Sequence, residues 1–166
     1  LANGLMKGMD KDIFAPNATL NRGMLVTTLY RLAGEPEVTG KSTFCDVPDG
    51  RYFSKAVAWA QANGIVKGMT EDTFCPANAV TREQAATFLY RYVTEYRKQA
   101  PAKGADLSQY TDAGQCSPFA RTAMAWATAE GFLQGYGDGT AGPQNTTTRA
   151  QMAKFLTILV QNFSLV

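Results

Sequence analysis

Small and apolar residues recur at helical spacing in three stretches of the chain. Leu25, Thr28, Leu29 and Leu32 stand at i, i+3, i+4 and i+7; Ala85, Phe88, Leu89 and Tyr92 repeat that spacing, and so do Met152, Phe155, Leu156 and Leu159. Such spacing puts one apolar stripe along each of three helices. Ahead of two of them, Tyr52, Ala56 and Trp59, then Phe119, Ala123 and Trp126, mark a shorter helix, with Gly64 and Gly131 placed to end it. Alternation of the strand type is nearly absent, so the pattern predicts an all-α chain.

These elements belong to one repeated unit. Ala2-Asn3-Gly4-Leu5-Met6-Lys7-Gly8-Met9 returns as Ala62-Asn63-Gly64-Ile65-Val66-Lys67-Gly68-Met69, and more loosely as Glu130-Gly131-Phe132-Leu133-Gln134-Gly135-Tyr136. The same offsets, 60 and then 67 residues, carry Pro16 to Pro76 to Pro143 and Arg22 to Arg82 to Arg149. The extra residues of the second interval fall mainly in 99–105, a small-residue linker with Pro101 and Gly104. The units are therefore 1–40, 41–101 and 102–166. Each reads as helix, loop, helix, but the first lacks its leading helix, as expected of a segment from a longer protein.

One helical pair of this size cannot bury both stripes, so the units must pack on one another, in a row or in a ring. An apolar seam beside the incomplete first unit would favour a homo-oligomer.

Composition narrows the function classes. Of 166 residues, 45 % are hydrophobic and 18 % charged, which is globular. No apolar run approaches the roughly 20 residues that span a bilayer, and a formal net charge of +2 without basic clusters argues against nucleic acid. The chain has no histidine, which excludes Ser-His and Cys-His nucleophile arrangements and the commonest general base. Its acids form no singular pair, so no catalytic residue is assigned and the segment reads as a non-enzyme. Cys45, Cys75 and Cys116 lack metal-ligand spacing; neither metal nor cofactor is expected, and either three free thiols or one bridge fits the count. Gly135-Tyr136-Gly137-Asp138-Gly139-Thr140 lacks the Lys-Ser/Thr of a phosphate loop and the alternating acids of a calcium loop, and reads as a tight turn.

Taken in order, Phe44-Cys45-Asp46-Val47, Ala58-Trp59-Ala60, Gly64-Ile65-Val66-Lys67-Gly68, Phe74-Cys75-Pro76 and Val80-Thr81-Arg82-Glu83-Gln84 resemble one S-layer homology repeat from end to end. Tyr110-Thr111-Asp112, Ala125-Trp126-Ala127, Gly135 to Thr140, Pro143 and Thr148-Arg149-Ala150-Gln151 resemble a second. Departures are Met24, Gln84 and Gln151 where the family's usual acidic residue follows the motif arginine, Ala141 before the loop proline, and Asn21 in place of threonine. The resemblance implies three repeats in a pseudo-threefold bundle with grooves between neighbours. It also implies non-covalent anchoring, at the bacterial cell surface, to a secondary cell-wall polysaccharide that often carries pyruvate ketals.

The residues themselves single out the arginines. Thr81 and Thr148 stand at N-cap positions and Gln84 and Gln151 complete capping boxes, while Asn21 caps the first unit without a box partner at Met24. Arg22, Arg82 and Arg149 then occupy the first helical position, where the macrodipole disfavours a cation by roughly 0.3 to 1 kcal/mol. Two readings explain that choice. A ligand carboxylate meets the guanidinium fork and free N–H groups at the helix start, or each arginine pairs with an internal acid such as Asp46 or Asp112. Trp59 and Trp126 read as core from their spacing, and family likeness adds a groove-lining role. Gly8, Gly68 and Gly135 read as backbone turns or as points where a sugar approaches the chain, with Lys7 and Lys67 as accessory charges. The candidate carbohydrate site is thus Arg22, Arg82, Arg149, Trp59, Trp126, Gly8, Gly68 and Gly135. The rival class is a protein-interaction or self-assembly module.

Overall fold

A computed structural model describes residues 4–8, 13–101 and 106–163. Those residues form five α-helices and no sheet: α1 (Arg22–Leu32), α2 (Ser54–Ala62), α3 (Arg82–Arg91), α4 (Arg121–Ala129) and α5 (Arg149–Phe163). The three long helices begin at the three arginines. Asn21 Oδ1 accepts from the Met24 N–H, and Thr81 and Gln84 close a reciprocal capping box. Thr148 and Gln151 do the same, through bonds of 3.0 and 3.2 Å. Gly64 and Gly131 end α2 and α4 at φ 70° and 82°. There Ile65 N–H reaches Ala60 O and Phe132 N–H reaches Ala127 O, both at 2.9 Å, the 6→1 bonds of a Schellman end.

The predicted stripes face one core. Leu25, Leu29, Ala85, Leu89, Tyr92, Met152, Leu156 and Leu159 are fully enclosed. The leading helices pack on the long helix of the preceding unit, α2 against α1 and α4 against α3.

What ties the units together is a closed ring of backbone bonds. Leu20 N–H donates to Thr147 O at 2.9 Å, Thr147 N–H to Val80 O at 2.7 Å and Val80 N–H to Leu20 O at 2.9 Å. These residues are equivalent in the repeat, so each unit donates to one neighbour and accepts from the other. A second set runs the opposite way round. Arg22 and Gly23 N–H donate to Asn78 and Pro76 O, Arg82 and Glu83 to Asn145 and Pro143 O, and Arg149 and Ala150 to Ala18 and Pro16 O, at 2.8 to 3.0 Å. The first backbone donors of every long helix, orphaned within the helix, are thereby satisfied by the loop of the next unit.

Those loops share a left-handed residue before the proline: Ala15, Cys75 and Gly142, at φ 48°, 57° and 62°. In two units an aspartate clamps it. Asp46 accepts from Phe74 and Cys75 N–H at 2.8 and 2.6 Å, and Asp112 from Ala141 and Gly142 N–H, both at 2.8 Å.

Two details differ from expectation. Tyr52 and Phe119 lie ahead of α2 and α4 rather than on them, and are 58 % and 57 % exposed. Helix α3 continues into a π-helical segment, Tyr92–Tyr96, before the linker, of which 102–105 lie outside the described residues, as do Ala2, Asn3 and Met9 of the first repeat motif. All three cysteines are free, with Cys45 exposed, Cys75 half-buried and Cys116 buried.

Candidate functional site

Each long helix places its first side chain against the next unit's loop, so the arginine is an inter-unit strut before it is anything else. Arg22, Arg82 and Arg149 are 3 %, 5 % and 4 % exposed. Arg22 Nε donates to Phe74 O at 2.7 Å and Nη2 to Lys67 O at 3.1 Å. Arg82 Nε donates to Ala141 O at 2.9 Å. Arg149 Nε donates to Phe14 O at 2.8 Å and Nη2 to Lys7 O at 2.6 Å. Aromatic rings lie beneath the guanidiniums: Phe74 and Phe88 at 4.6 and 5.2 Å from Arg22, Tyr136 at 4.7 Å from Arg82, and Phe14 at 4.9 Å from Arg149.

Two expectations are corrected by this geometry. The N–H groups at the helix starts are not free for a ligand, because neighbouring loops already accept from them. Nor do the arginines pair with Asp46 or Asp112, whose carboxylates hold loop N–H groups instead. Among the described residues the ion pairs are Arg31–Glu35 and Lys41–Asp49 alone.

Burial disfavours the charged form and lowers the Arg22 guanidinium from its ordinary value to about 10; Cys75 and Asp46 oppose the fall and Arg91 adds to it. Arg82 is lowered chiefly by burial too, against Tyr136, Tyr110 and Asp112, and Arg91 by burial against Glu95. All remain cations at neutral pH.

The tryptophans belong to the core. Trp59 and Trp126 are 3 % and 1 % exposed, and their Nε1 donors are buried without a hydrogen-bond partner. Trp59 packs among Tyr30, Tyr92 and Tyr96, and Trp126 among Tyr90, Phe132 and Phe163. Neither indole offers a sugar an open face, and neither lines the hollows beside the arginines.

Gly68 and Gly135 are there for close packing. A Cβ on Gly68 would sit 2.1 Å from Thr70 O, 2.5 Å from Thr73 O and 2.7 Å from the Phe44 ring. One on Gly135, at φ 70°, would meet Thr140 O at 2.8 Å and the Tyr110 ring at 2.9 Å. The turn after Gly135 is closed by Tyr136 N–H to Thr140 O and by Asp138, which accepts from the Thr140 N–H and hydroxyl.

Two hollows beside the arginines are built from equivalent parts. One, of about 370 Å³, is walled by Arg22 of the first unit, Lys67 and Gly68 of the second unit's turn, Gln84 and Arg91 of α3, and Phe119 of the third unit. The other, of about 190 Å³, is walled by Arg149 of the third unit, Lys7 and Gly8 of the first, Met24 and Arg31 of α1, and Tyr52 of the second. Each thus draws on all three units. Each holds two arginines and a lysine, and no acid lines either hollow. Gly8 and Gly68 line these hollows; Arg82 lines neither.

Sequence reasoning missed Arg31, Arg91, Tyr52 and Phe119 as site residues. The signal was present, since Arg31 recurs as Arg91 and Tyr52 as Phe119 at the two repeat offsets. No group of three or more potential metal ligands occurs among the described residues, and no described helix is long and apolar enough to cross a membrane.

Comparison with known proteins agrees with this architecture. The model of the S-layer homology domain matches residues 44–86 and 109–153, more than half of the chain. The chain is 28 % identical over 162 residues to the surface-layer 125 kDa protein of Lysinibacillus sphaericus, covering 96 % of this chain and 13 % of that protein. It is 28 % identical to an endoglucanase of Bacillus sp. (strain KSM-635), across 94 % of this chain and 16 % of the enzyme. To the cellulosome-anchoring protein of Acetivibrio thermocellus it is 26 % identical, across 88 % of this chain and 33 % of that protein. The chain therefore spans a third or less of the length of each of these relatives.

Proposed function

We propose that this chain, which belongs to the S-layer homology domain family, anchors its parent protein at the cell surface by holding an acidic, pyruvylated cell-wall polysaccharide in the hollows between its repeats. A non-catalytic surface anchor is what the family assignment carries. The glycan and the residues that grip it are the proposed part.

One observation carries this reading. Two repeat-equivalent hollows each gather two guanidiniums and an ammonium with no acidic lining residue. Like charges brought together in a partly desolvated recess raise the free energy of the empty site, and a bound anion relieves it. The recess is open on one side, as a polymer in the wall requires, and its rim bears an exposed aromatic ring, Tyr52 or Phe119, of the kind sugars stack on. Arg22 and Arg149 supply fixed charge, while Lys67 and Lys7 supply an adaptable one. The partner is thus an anionic glycan, and the passenger is whatever the rest of the parent protein does. An endoglucanase among the relatives fits an anchoring segment attached to a catalytic one.

The test is co-sedimentation with purified cell walls whose polysaccharide is intact or stripped of its pyruvate ketals by mild acid. Retention on intact walls, lost after stripping and weakened by salt, is expected. Equal retention on both preparations would place the interaction on neutral glycan or on protein.

A further inference from the structure

We infer that the anion is gripped by a pair of guanidiniums, Arg22 with Arg91 and Arg149 with Arg31, and that the chain therefore has two anion-binding grooves and not three. This rests on the carbohydrate reading above and adds which residues, and how many grooves, perform it.

Arg22 has only part of its guanidinium left to give. Its Nε and one Nη2 hydrogen point at the carbonyls of Phe74 and Lys67. That uses the Nε/Nη2 edge, the edge that would make a side-on fork with a carboxylate. Only the outer edge of the guanidinium remains, and the aromatic rings of Phe74 and Phe88 cover its face. A carboxylate held there has unfilled lone pairs, because an ionised carboxyl accepts about four hydrogen bonds.

Arg91 supplies the missing donors. It lines the same hollow, and its charge is felt at Arg22. It has no acid within ion-pairing reach and no hydrogen-bond acceptor among the described residues. Arg31 lines the equivalent hollow with Arg149; its Nη1 donates to Leu5 O at 3.4 Å and its Nε lies 3.8 Å from Glu35, which leaves its other N–H groups for the ligand.

The third inter-unit position has none of this. Repeat equivalence sets Arg82 beside Gln134, Lys154 and Ile158, so the turn lysine has become glutamine and the second arginine has become isoleucine. Lys154 Nζ donates to Gln134 Oε1 at 2.9 Å, a bond that joins the helix to the turn across the position an anion would enter. Tyr136 lies against Arg82. Arg82 is then a strut only.

The experiment is isothermal titration calorimetry of the chain with a chemically defined hexopyranoside 4,6-pyruvate ketal, and with its methyl ester as the neutral arm. Wild type should bind two equivalents of the acid, and the ester at least tenfold more weakly. Arg91→Ala and Arg31→Ala should each remove one equivalent, and the double variant both, with far-UV circular dichroism unchanged. Arg91→Lys should restore the charge but not the lost equivalent, and Ile158→Ala should leave two equivalents. Two undiminished equivalents in Arg91→Ala, or three in wild type, would overturn this inference and leave the glycan reading standing. Wild type that binds neither probe would overturn both.

Discussion

Replacing Arg22 with methionine separates the strut from the ligand group. The substitution keeps an apolar stem of similar length while deleting the guanidinium. It leaves the carbonyls of Phe74 and Lys67 without donors in a site where the side chain was 3 % exposed. Each bond from a charged donor contributes about 1.5 to 3 kcal/mol, and the rings at 4.6 and 5.2 Å add about 1 kcal/mol. Relief of the guanidinium's own desolvation offsets part of this, which leaves a loss of about 2 to 4 kcal/mol. For a chain of this size that is a fall in Tm of about 4 to 16 °C. Urea unfolding followed by circular dichroism measures it directly. Arg91→Met, which breaks no hydrogen bond seen here, should stay within about 0.5 kcal/mol of wild type. If Arg22→Met were equally silent, the arginine at the helix start would be waiting for a ligand and tying nothing together, and the structural reasoning would be wrong.

Further outcomes follow from the same geometry. Gly68→Ala should destabilise by about 1 to 3 kcal/mol or more in urea unfolding, because the added carbon meets the Thr70 and Thr73 carbonyls. Asp46→Ala should cost about 2 to 4 kcal/mol on the same assay, since two loop N–H groups lose a charged acceptor next to the left-handed Cys75. Phe119→Ala should weaken binding of the acidic sugar several-fold in calorimetry while leaving stability unchanged, as the ring is 57 % exposed. Tyr92 is buried with an unpartnered hydroxyl, and burial raises its phenol from 10.0 to about 12. A raised folded-state value means stability present below pH 10 and lost as pH rises through about 12. Comparing denaturant midpoints at pH 8 and pH 11.5, Tyr92→Phe should shrink that loss.

Much of the fold was legible because its signals are local. The capping boxes at Thr81 and Thr148 and the helix-ending Gly64 and Gly131 act within four or five residues of themselves, and each lies where the pattern put it. The ring through Leu20, Val80 and Thr147 was not legible. Its bonds join backbone groups some sixty residues or more apart, and a backbone bond leaves no mark on side-chain choice. The second set of inter-unit bonds, to the loop carbonyls, is likewise why the helix starts looked free. Reasoning along one helix finds orphan donors, and only the neighbouring unit shows what takes them. The left-handed loop residue was hidden for a related reason: glycine announces it at Gly142, but alanine and cysteine fill it at Ala15 and Cys75. Arg31 and Arg91 looked like ordinary bases near helix C-termini, where cations are favoured anyway. Their meaning appears when they are seen facing the arginine of another unit.

The most direct test of the central claim is a co-crystal structure with a pyruvate-ketal sugar of the cell-wall type. The account predicts its carboxylate between Arg22 and Arg91, with the ring against Phe119, and a second copy between Arg149 and Arg31. A sugar ordered elsewhere on the surface, with both hollows holding only solvent at saturating ligand, would contradict it.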